Sequence, residues 1–358
     1  MNICFYPFHG NNLYVNNIID SIKKLEYNVI SLRKIINEPK YFFKCKIYIL
    51  NWFENIESNQ QFIEYIIKVI FIHLLKICNK KIIFVFHNRK AHNSNSPYSC
   101  KLIKLLLSKT DIIIIMNHFS IEIINKDYNI KNINKKIRFV PHPNYIHNYN
   151  VDYINPKEQS NKSNNIVFLF IGAISPYKNI ELIIDVFNKI TKTLNNIQLI
   201  IAGNPYSKEY ANNLQRRIAD NTNIQTDFRY IPDSDIPNLY EKADIVVLPY
   251  DINTSLNSGA VFLSFSFKKT VLCPRIGTIR DFEHLGDIYS YSYNSYEEHK
   301  NILEKEIVLI VKDHQNNPNA LKEKGERMFN YIKCNHSIEI VQECYKNIIE
   351  ELYSKKQK

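Results

Sequence analysis

Lys178 is the one cation in FLFIGAISPYKN, residues 168–179, which lies directly ahead of the helix-like run IELIIDVFNKI. An apolar run that ends at Gly172, turns through Pro176 and places a lysine at the mouth of a helix is suited to holding an anion. The carboxyl ends of strands in open α/β sheets bind ligands, and a helix N-terminus adds positive potential. A solvated turn lysine is the plain alternative. A second stretch, LPYDINTSLNSGAVFLSFSF, leads from a strand through a polar loop to Asn257, Ser258, Gly259 and Ala260 at the start of an apolar helix. Backbone N–H groups there form an anion site, and Gly259 allows a phosphate to come close; Ser258 as a simple N-cap is the alternative. A third, FVFHNRKAH, puts His87 and Asn88 directly after a strand, with His92 close behind. A fourth, FYPFHGNN, runs from a strand through Gly10 to Asn12. His87 alone reads equally as a satisfied core histidine. A cation, a helix N-terminus and a strand-end imidazole together suit transfer from an anionic leaving group.

Elements must bring these residues to one edge. NICFYPF, YNVISL, CKIYILNWF, KIIFVFH, DIIIIMN and KIRFVPH read as strands alternating with helical runs. Strands apolar at nearly every position, alternating with helices, indicate a parallel sheet covered on both faces. The polar stretch NYNVDYINPKEQSNKSNN then breaks the pattern. Alternation resumes with IVFLFIG, IQLIIAGN, DFRYIP, DIVVLPY and KTVLCP as strands, after which the chain reads as mostly helical. The expectation is an α/β protein of two doubly wound, Rossmann-like domains facing a cleft. Residues 1–150 form the first, 151–165 a linker, 166–335 the second, and 336–358 a helix returning to the first. Neither GxGxxG nor GxxxxGK[ST] occurs, which argues against a nicotinamide dehydrogenase and a phosphate-loop NTPase. No Asp-x-Asp pair stands at a strand end, so metal-assisted phosphate binding is not indicated.

The chain has 358 residues, a net charge of +11 and a pI near 9.1. The cations are spread along the chain without an arginine-rich block. That pattern suits an anionic membrane surface and anionic substrates better than nucleic acid. The 7 cysteines are scattered with no CxxC pair, as in a reducing cytosol. MNICFYPFHG lacks the charged-then-apolar order of a signal peptide. The most apolar run, FIEYIIKVIFIHLLKIC from Phe62 to Cys78, is interrupted by charges and is too short to span a membrane. It is expected to be a well-buried helix of the fold, with a membrane-surface helix as the alternative.

These segments resemble, in order over most of the chain, the retaining glycosyltransferases of the GT-B fold, family four type. HNRKAH is similar to the HN-x-x-x-H segment of a bacterial branch, DIIIIMNHFS to its serine-ending strand, VPHPNY to iPHpnY and GAISPYKN to GxIxPYKN. IPDSDIPNLYEKADIVVLPY and SLNSGAVFLSFSF resemble its donor site. The resemblance implies that Lys178 holds the donor diphosphate and shares catalysis with His87, which would sit by the transferring sugar. Gly172, Asn257, Ser258, Gly259 and Ala260 would complete the donor site, with Ile231 in the base pocket. Gly10, Asn12, Asn88 and His92 would lie on the acceptor or sugar side. Two departures stand out. Ala173 occupies the place of a frequent arginine, and the Glu-x7-Glu motif falls on Leu256 and Ser264. The implied activity is transfer, with retention and without metal or cofactor, from a UDP- or GDP-sugar to a lipid-linked saccharide in O-antigen, capsule or similar surface polysaccharide synthesis. The implied location is cytoplasmic, peripheral to the inner membrane. A degenerate transferase serving as a binding or scaffold subunit is the competing reading, and another GT-B enzyme such as an epimerase a third.

Overall fold

The computed structural model describes residues 1–8, 10, 12–56, 60–89, 96–130, 133–151 and 165–354. The chain divides into two compact units. The first comprises Met1–Pro143, Asn253–Asn257 and Asn335–Lys358, and the second Asn144–Ile252 and Ser258–Cys334. The 151–165 linker lies almost wholly outside the described residues.

The first unit runs β1 (Asn2–Tyr6), α1 (Leu13–Lys24), β2 (Asn28–Ser31), α2 (Leu32–Asn37), α3 (Lys40–Lys44), β3 (Cys45–Asn51), α4 (Gln61–Ile77), β4 (Lys81–Val85), α5 (Pro97–Lys109), β5 (Ile112–Ile115), α6 (Phe119–Tyr128) and β6 (Ile137–Phe139). Its 6-stranded sheet has the order β2-β1-β3-β4-β5-β6, and its ladders are parallel. Alternate residues of each strand serve opposite faces. Tyr48, Leu50, Phe84, Phe86, Ile113 and Ile115 pack on one side with Leu75 of α4 and Leu102 and Leu106 of α5. Ile47, Ile49, Ile83, Val85, Ile112 and Ile114 pack on the other with Val15 and Ile18 of α1.

The second unit contains α7 (Ile146–Tyr149), β7 (Ile166–Ile171), α8 (Ile180–Ile190), β8 (Ile197–Ala202), α9 (Lys208–Ile218), β9 (Ile224–Asp227), α10 (Ile236–Lys242), β10 (Ile245–Val247), α11 (Gly259–Ser266), β11 (Val271–Pro274), α12 (Gly277–Phe282), β12 (Tyr289–Tyr291), α13 (Tyr296–Asn316) and α14 (Ala320–Asn335). Its 6-stranded parallel sheet has the order β12-β11-β10-β7-β8-β9. The last helix, α15 (Ile338–Ser354), belongs to the first unit. Its Val341, Tyr345, Ile348, Ile349 and Leu352 fill the face lined by α1. Glu351 also accepts two bonds from Arg138 of β6, at 2.9 and 2.5 Å.

Four details differ from the sequence reading. The second unit begins at Asn144 rather than after a linker, because Asn144 donates to Ile332 O at 2.9 Å and Tyr145 N donates to Ser266 Oγ at 2.9 Å. The strand expected in DFRYIP sits earlier, in IQTD. Arg229 turns back there, its N–H on Asp227 O and its guanidinium on Asp227 and Asp235. Strand β12 interrupts a region read as helical. Finally, α4 is not a well-buried helix: only Ile72 and Leu75 of its 17 residues are buried. It lies in the outer layer, where one face reaches the sheet.

Candidate functional site

Each sheet has one point where strand order reverses, and ligands of doubly wound sheets bind beyond the strand ends there. In the second unit that point lies between β7 and β10, which pair in parallel through Phe168 with Ile245 and Leu169 with Val246. The chain leaving β7 carries Gly172 and Lys178; the chain leaving β10 carries Tyr250.

Gly172 has φ 139 and Gly203, after β8, has φ 149. A Cβ on Gly203 would lie 1.8 Å from Gly172 O. The two strand ends therefore close together only as glycines. Past this point the loops after β7 and β10 are laced: Asn179 Nδ2 donates to Pro249 O at 2.9 Å, and Asp251 N donates to Tyr177 O at 3.2 Å. The lacing puts Lys178 Nζ over the Tyr250 ring, 3.7 Å from its centroid, and 4.9 Å from that of Tyr177. Among the described residues no carboxylate pairs with Lys178. Burial pushes its ammonium down to about 7, from an ordinary 10.5. A cation kept among rings and without a counter-ion is poised for an incoming anion.

Ser258 joins the same cluster. Its Oγ donates to Tyr250 OH at 3.3 Å and accepts Val261 N at 3.4 Å, so it is the N-cap of α11. Its own N–H goes to Thr278 Oγ1 at 3.3 Å. The amides of Gly259 and Ala260, in the first turn, have no acceptor within the helix. Gly172, Lys178, Ser258, Gly259 and Ala260 thus fall in one unit, and Tyr250 directly links Lys178 to Ser258. Ile231 lies in the loop between β9 and α10, half-buried. Tyr250, Thr278 and Gly203 were missed in the sequence. The signals present were the Pro-Tyr after DIVVL and the strand-end glycine of IIAGN.

Asn257 was grouped with Ser258 by adjacency but belongs to the first unit. Its Nδ2 donates to His87 O at 2.7 Å, and its Oδ1 accepts from Asn117 Nδ2 at 2.7 Å. Its amide is therefore committed to positioning the chain after β4. Leu256 is buried in the first unit's core with Phe84, Phe86 and Ile115. Ser264, at the other position of the missing glutamates, donates to Ala260 O at 2.7 Å within its own helix. Neither position offers a carboxylate.

His87 lies in the first unit, at the carboxyl end of β4. Its ring stacks on Trp52 at 3.9 Å and meets the Tyr14 ring edge-on at 5.4 Å. Asn51 donates from Nδ2 to Tyr6 O at 3.1 Å, which turns its Oδ1 toward His87 Nε2 at 2.9 Å. Nε2 therefore carries the proton. The imidazole is buried and oriented by three neighbours, Asn51 of β3, Trp52 just past it and Tyr14 of α1. Asn88 is buried beside it. Asn12 caps α1, its Oδ1 accepting Tyr14 N at 3.0 Å. Gly10 is exposed. His92 lies outside the described residues.

A buried carboxylate that the sequence reading did not single out follows β3. Neither oxygen of Glu54 has a side-chain hydrogen-bond partner among the described residues. Burial pushes it up to about 7, only partly offset by its own backbone and by Lys68.

Residues 153–252 match the family profile of glycosyl transferases group 1. A GDP-mannose:glycolipid 4-beta-D-mannosyltransferase of Xanthomonas campestris pv. campestris is 28% identical over 106 residues, 30% of this chain and 29% of that one. A lipopolysaccharide 1,2-N-acetylglucosaminetransferase of Salmonella typhimurium is 29% identical over 140 residues, 36% of each chain. The matches therefore span about a third of these curated relatives. Among solved structures, Anabaena HepE in complex with UDP superposes with a TM-score of 0.69 at 13% identity, over 99% of this chain and 100% of that one. The fold is that of the GT-B glycosyltransferases, and the part of the chain similar to group 1 glycosyl transferases is residues 153–252.

Proposed function

We propose that the protein is a glycosyltransferase. It moves a sugar from a UDP- or GDP-sugar to a lipid-linked saccharide during assembly of a bacterial surface polysaccharide, with retention and without metal. One observation carries this reading: an unpaired, desolvated Lys178 shares the Tyr250 ring with the N-cap of α11, at the switch point of the second sheet. As the bond between the anomeric carbon and the diphosphate breaks, negative charge grows on the leaving nucleoside diphosphate. The ammonium of Lys178 and the amides of Gly259 and Ala260 would receive it without reorganising. The acceptor hydroxyl oxygen forms the new bond to the anomeric carbon, and its proton passes to the departing diphosphate. His87, set by Trp52 and Asn51, is assigned to the sugar side; Gly10, Asn12, Asn88 and His92 to the sugar or acceptor side, and Ile231 to the base. The relatives' named glycolipid and lipopolysaccharide substrates support the acceptor class. The net charge of +11 supports work at the cytoplasmic face of an anionic membrane.

The test is release of nucleoside diphosphate by the purified chain from a panel of UDP-, GDP- and dTDP-sugars, with and without EDTA. Release from one donor, unchanged by EDTA, is expected; loss with EDTA removes the metal-free mechanism. The buried Leu256 and the helix-bonded Ser264, where carboxylates would grip the donor, favour a second reading as a binding or scaffold subunit. Tight nucleotide binding with no turnover of any donor would select it.

A further inference from the structure

We propose that the outward face of α4 is a docking surface for an anionic lipid bilayer. This deepens the membrane location proposed above by assigning it to named residues. The helix is built the wrong way round for a solvent-facing one. Ile63, Ile66, Ile67, Ile70, Leu74 and Ile77 all lie among the exposed large apolar side chains, Ile67 and Ile70 each at 61% and Ile77 at 80%. At 100° per residue they form one stripe, which Phe62 joins at the helix start. The only polar side chain within it is His73. The helix's ions face inward instead: Lys68 pairs with Glu64 at 2.7 Å, and Lys76 with Asp111 at 2.8 Å. Just past α4, Lys80 donates to Phe43 O of α3 at 3.2 Å, and the Phe43 side chain is itself 76% exposed. A soluble surface seldom leaves such a continuous apolar patch uncovered.

The flanks identify what covers it. On one side α5 exposes Lys101, Lys104 and Lys109 and contains no acidic residue. On the other, α2 and α3 expose Arg33, Lys34 and Lys44, and the one acid between them, Glu38, is matched by Lys40 at 2.8 Å. At the amino end of α4, Phe62 and Tyr65 meet Tyr98 of α5 at 5.8 and 5.1 Å, forming an aromatic cluster suited to a headgroup boundary. A convex apolar stripe between two cationic rims matches an anionic bilayer, into which such a face sinks by about 5–10 Å. A second copy of the chain fits less well, because packing stripe on stripe would set like-charged rims against each other.

The full chain is mixed with phosphatidylcholine vesicles, with or without phosphatidylglycerol, and sedimented. Binding to the anionic vesicles, weakened by added salt as screening shortens, is expected. Ile63→Ser/Ile67→Ser/Ile70→Ser should lower vesicle affinity by about tenfold or more while leaving the far-UV spectrum unchanged and melting little changed, because more than half of each residue faces solvent. Lys101→Glu/Lys104→Glu should abolish the preference for phosphatidylglycerol. No binding by the wild-type chain, or equal binding by the triple variant, would overturn the proposal. So would a wild-type dimer that the triple variant dissolves, which would give the stripe to a second copy. None of these readouts uses turnover, so failure here leaves the assignment as a transferase to be judged by donor hydrolysis.

Discussion

Lys178 and Ser258 meet on opposite features of one ring: the ammonium lies 3.7 Å from the centroid of Tyr250, and the serine hydroxyl bonds its phenol oxygen at 3.3 Å. The face of the ring attracts the cation, while burial pushes the ammonium down to about 7. The free protein therefore holds a cation it would rather discharge, and a bound diphosphate removes that penalty.

Lys178→Met should separate activity from stability. Loss of a charge-assisted phosphate contact, roughly 1.5–3 kcal/mol, lowers kcat/KM by about 10- to 100-fold. Melting should move the other way. Between pH 7 and 10.5 the unfolded chain holds a proton on Lys178 that the folded chain has released, so wild-type stability rises with pH across that window. The methionine variant should lack this rise and melt at or above wild type at pH 6. Near-normal turnover would return Lys178 to the role of an ordinary turn residue.

Nucleotide binding should take up a proton. At pH 8 the free enzyme's Lys178 is mostly neutral, and binding a diphosphate recharges it. Affinity for UDP or GDP should then fall by up to about tenfold per pH unit above 7, as one proton is linked to each anion. Calorimetry in two buffers of different ionisation enthalpy reads the proton directly. A count near zero at pH 8, or a flat affinity profile, contradicts a lysine–diphosphate contact.

His87→Phe keeps a flat ring between Trp52 and Tyr14 but gives up the bond to Asn51. With the stack retained, melting should drop by less than His87→Ala, which empties a buried slot at about 2–4 kcal/mol. If the imidazole serves the sugar, both variants lose about 10²-fold or more in kcat while nucleotide binding by the second unit's residues persists. If His87→Phe turns over normally, the histidine is a core residue and leaves the proposed site.

Glu54→Gln should stabilise the protein in mild alkali. The carboxyl is raised to about 7, so the folded state holds a proton between pH 4.5 and 7 that the unfolded chain has lost. Wild-type stability therefore declines as pH rises through that window. The glutamine, neutral throughout, should flatten the decline, giving a higher melting temperature than wild type at pH 8 and little difference at pH 4.5. Equal melting at pH 8 would mean that water or another group satisfies the carboxylate.

What was legible in the sequence was whatever is written locally. Apolar runs such as IIII and IVFLFI, alternating with helical patterns, read as strands buried on both faces, and Ser258 before an apolar helix is an N-cap by type. Strand order was not local. That Tyr250 meets Lys178 depends on β10 pairing with β7, and neither stretch announces the other. Asn257 shows the same limit from the opposite side. It is the immediate neighbour of Ser258, yet its amide serves the backbone of His87. Composition also misled at α4. A dense apolar run reads as a core helix, whereas the structure turns much of it outward.

The first unit takes its last pieces from far down the chain: Asn253–Asn257, with Leu256 in its core, and α15, whose five buried residues close the face of its sheet. On a ribosome, which makes chains at about 5–20 residues per second and lets amino-terminal domains fold first, this unit cannot finish ahead of the second. The face that α1 covers in part waits for α15 to be synthesised. The amino-terminal half is thus the last to be completed, and a chain released before α15 would leave the tunnel with that face covered only in part, by α1.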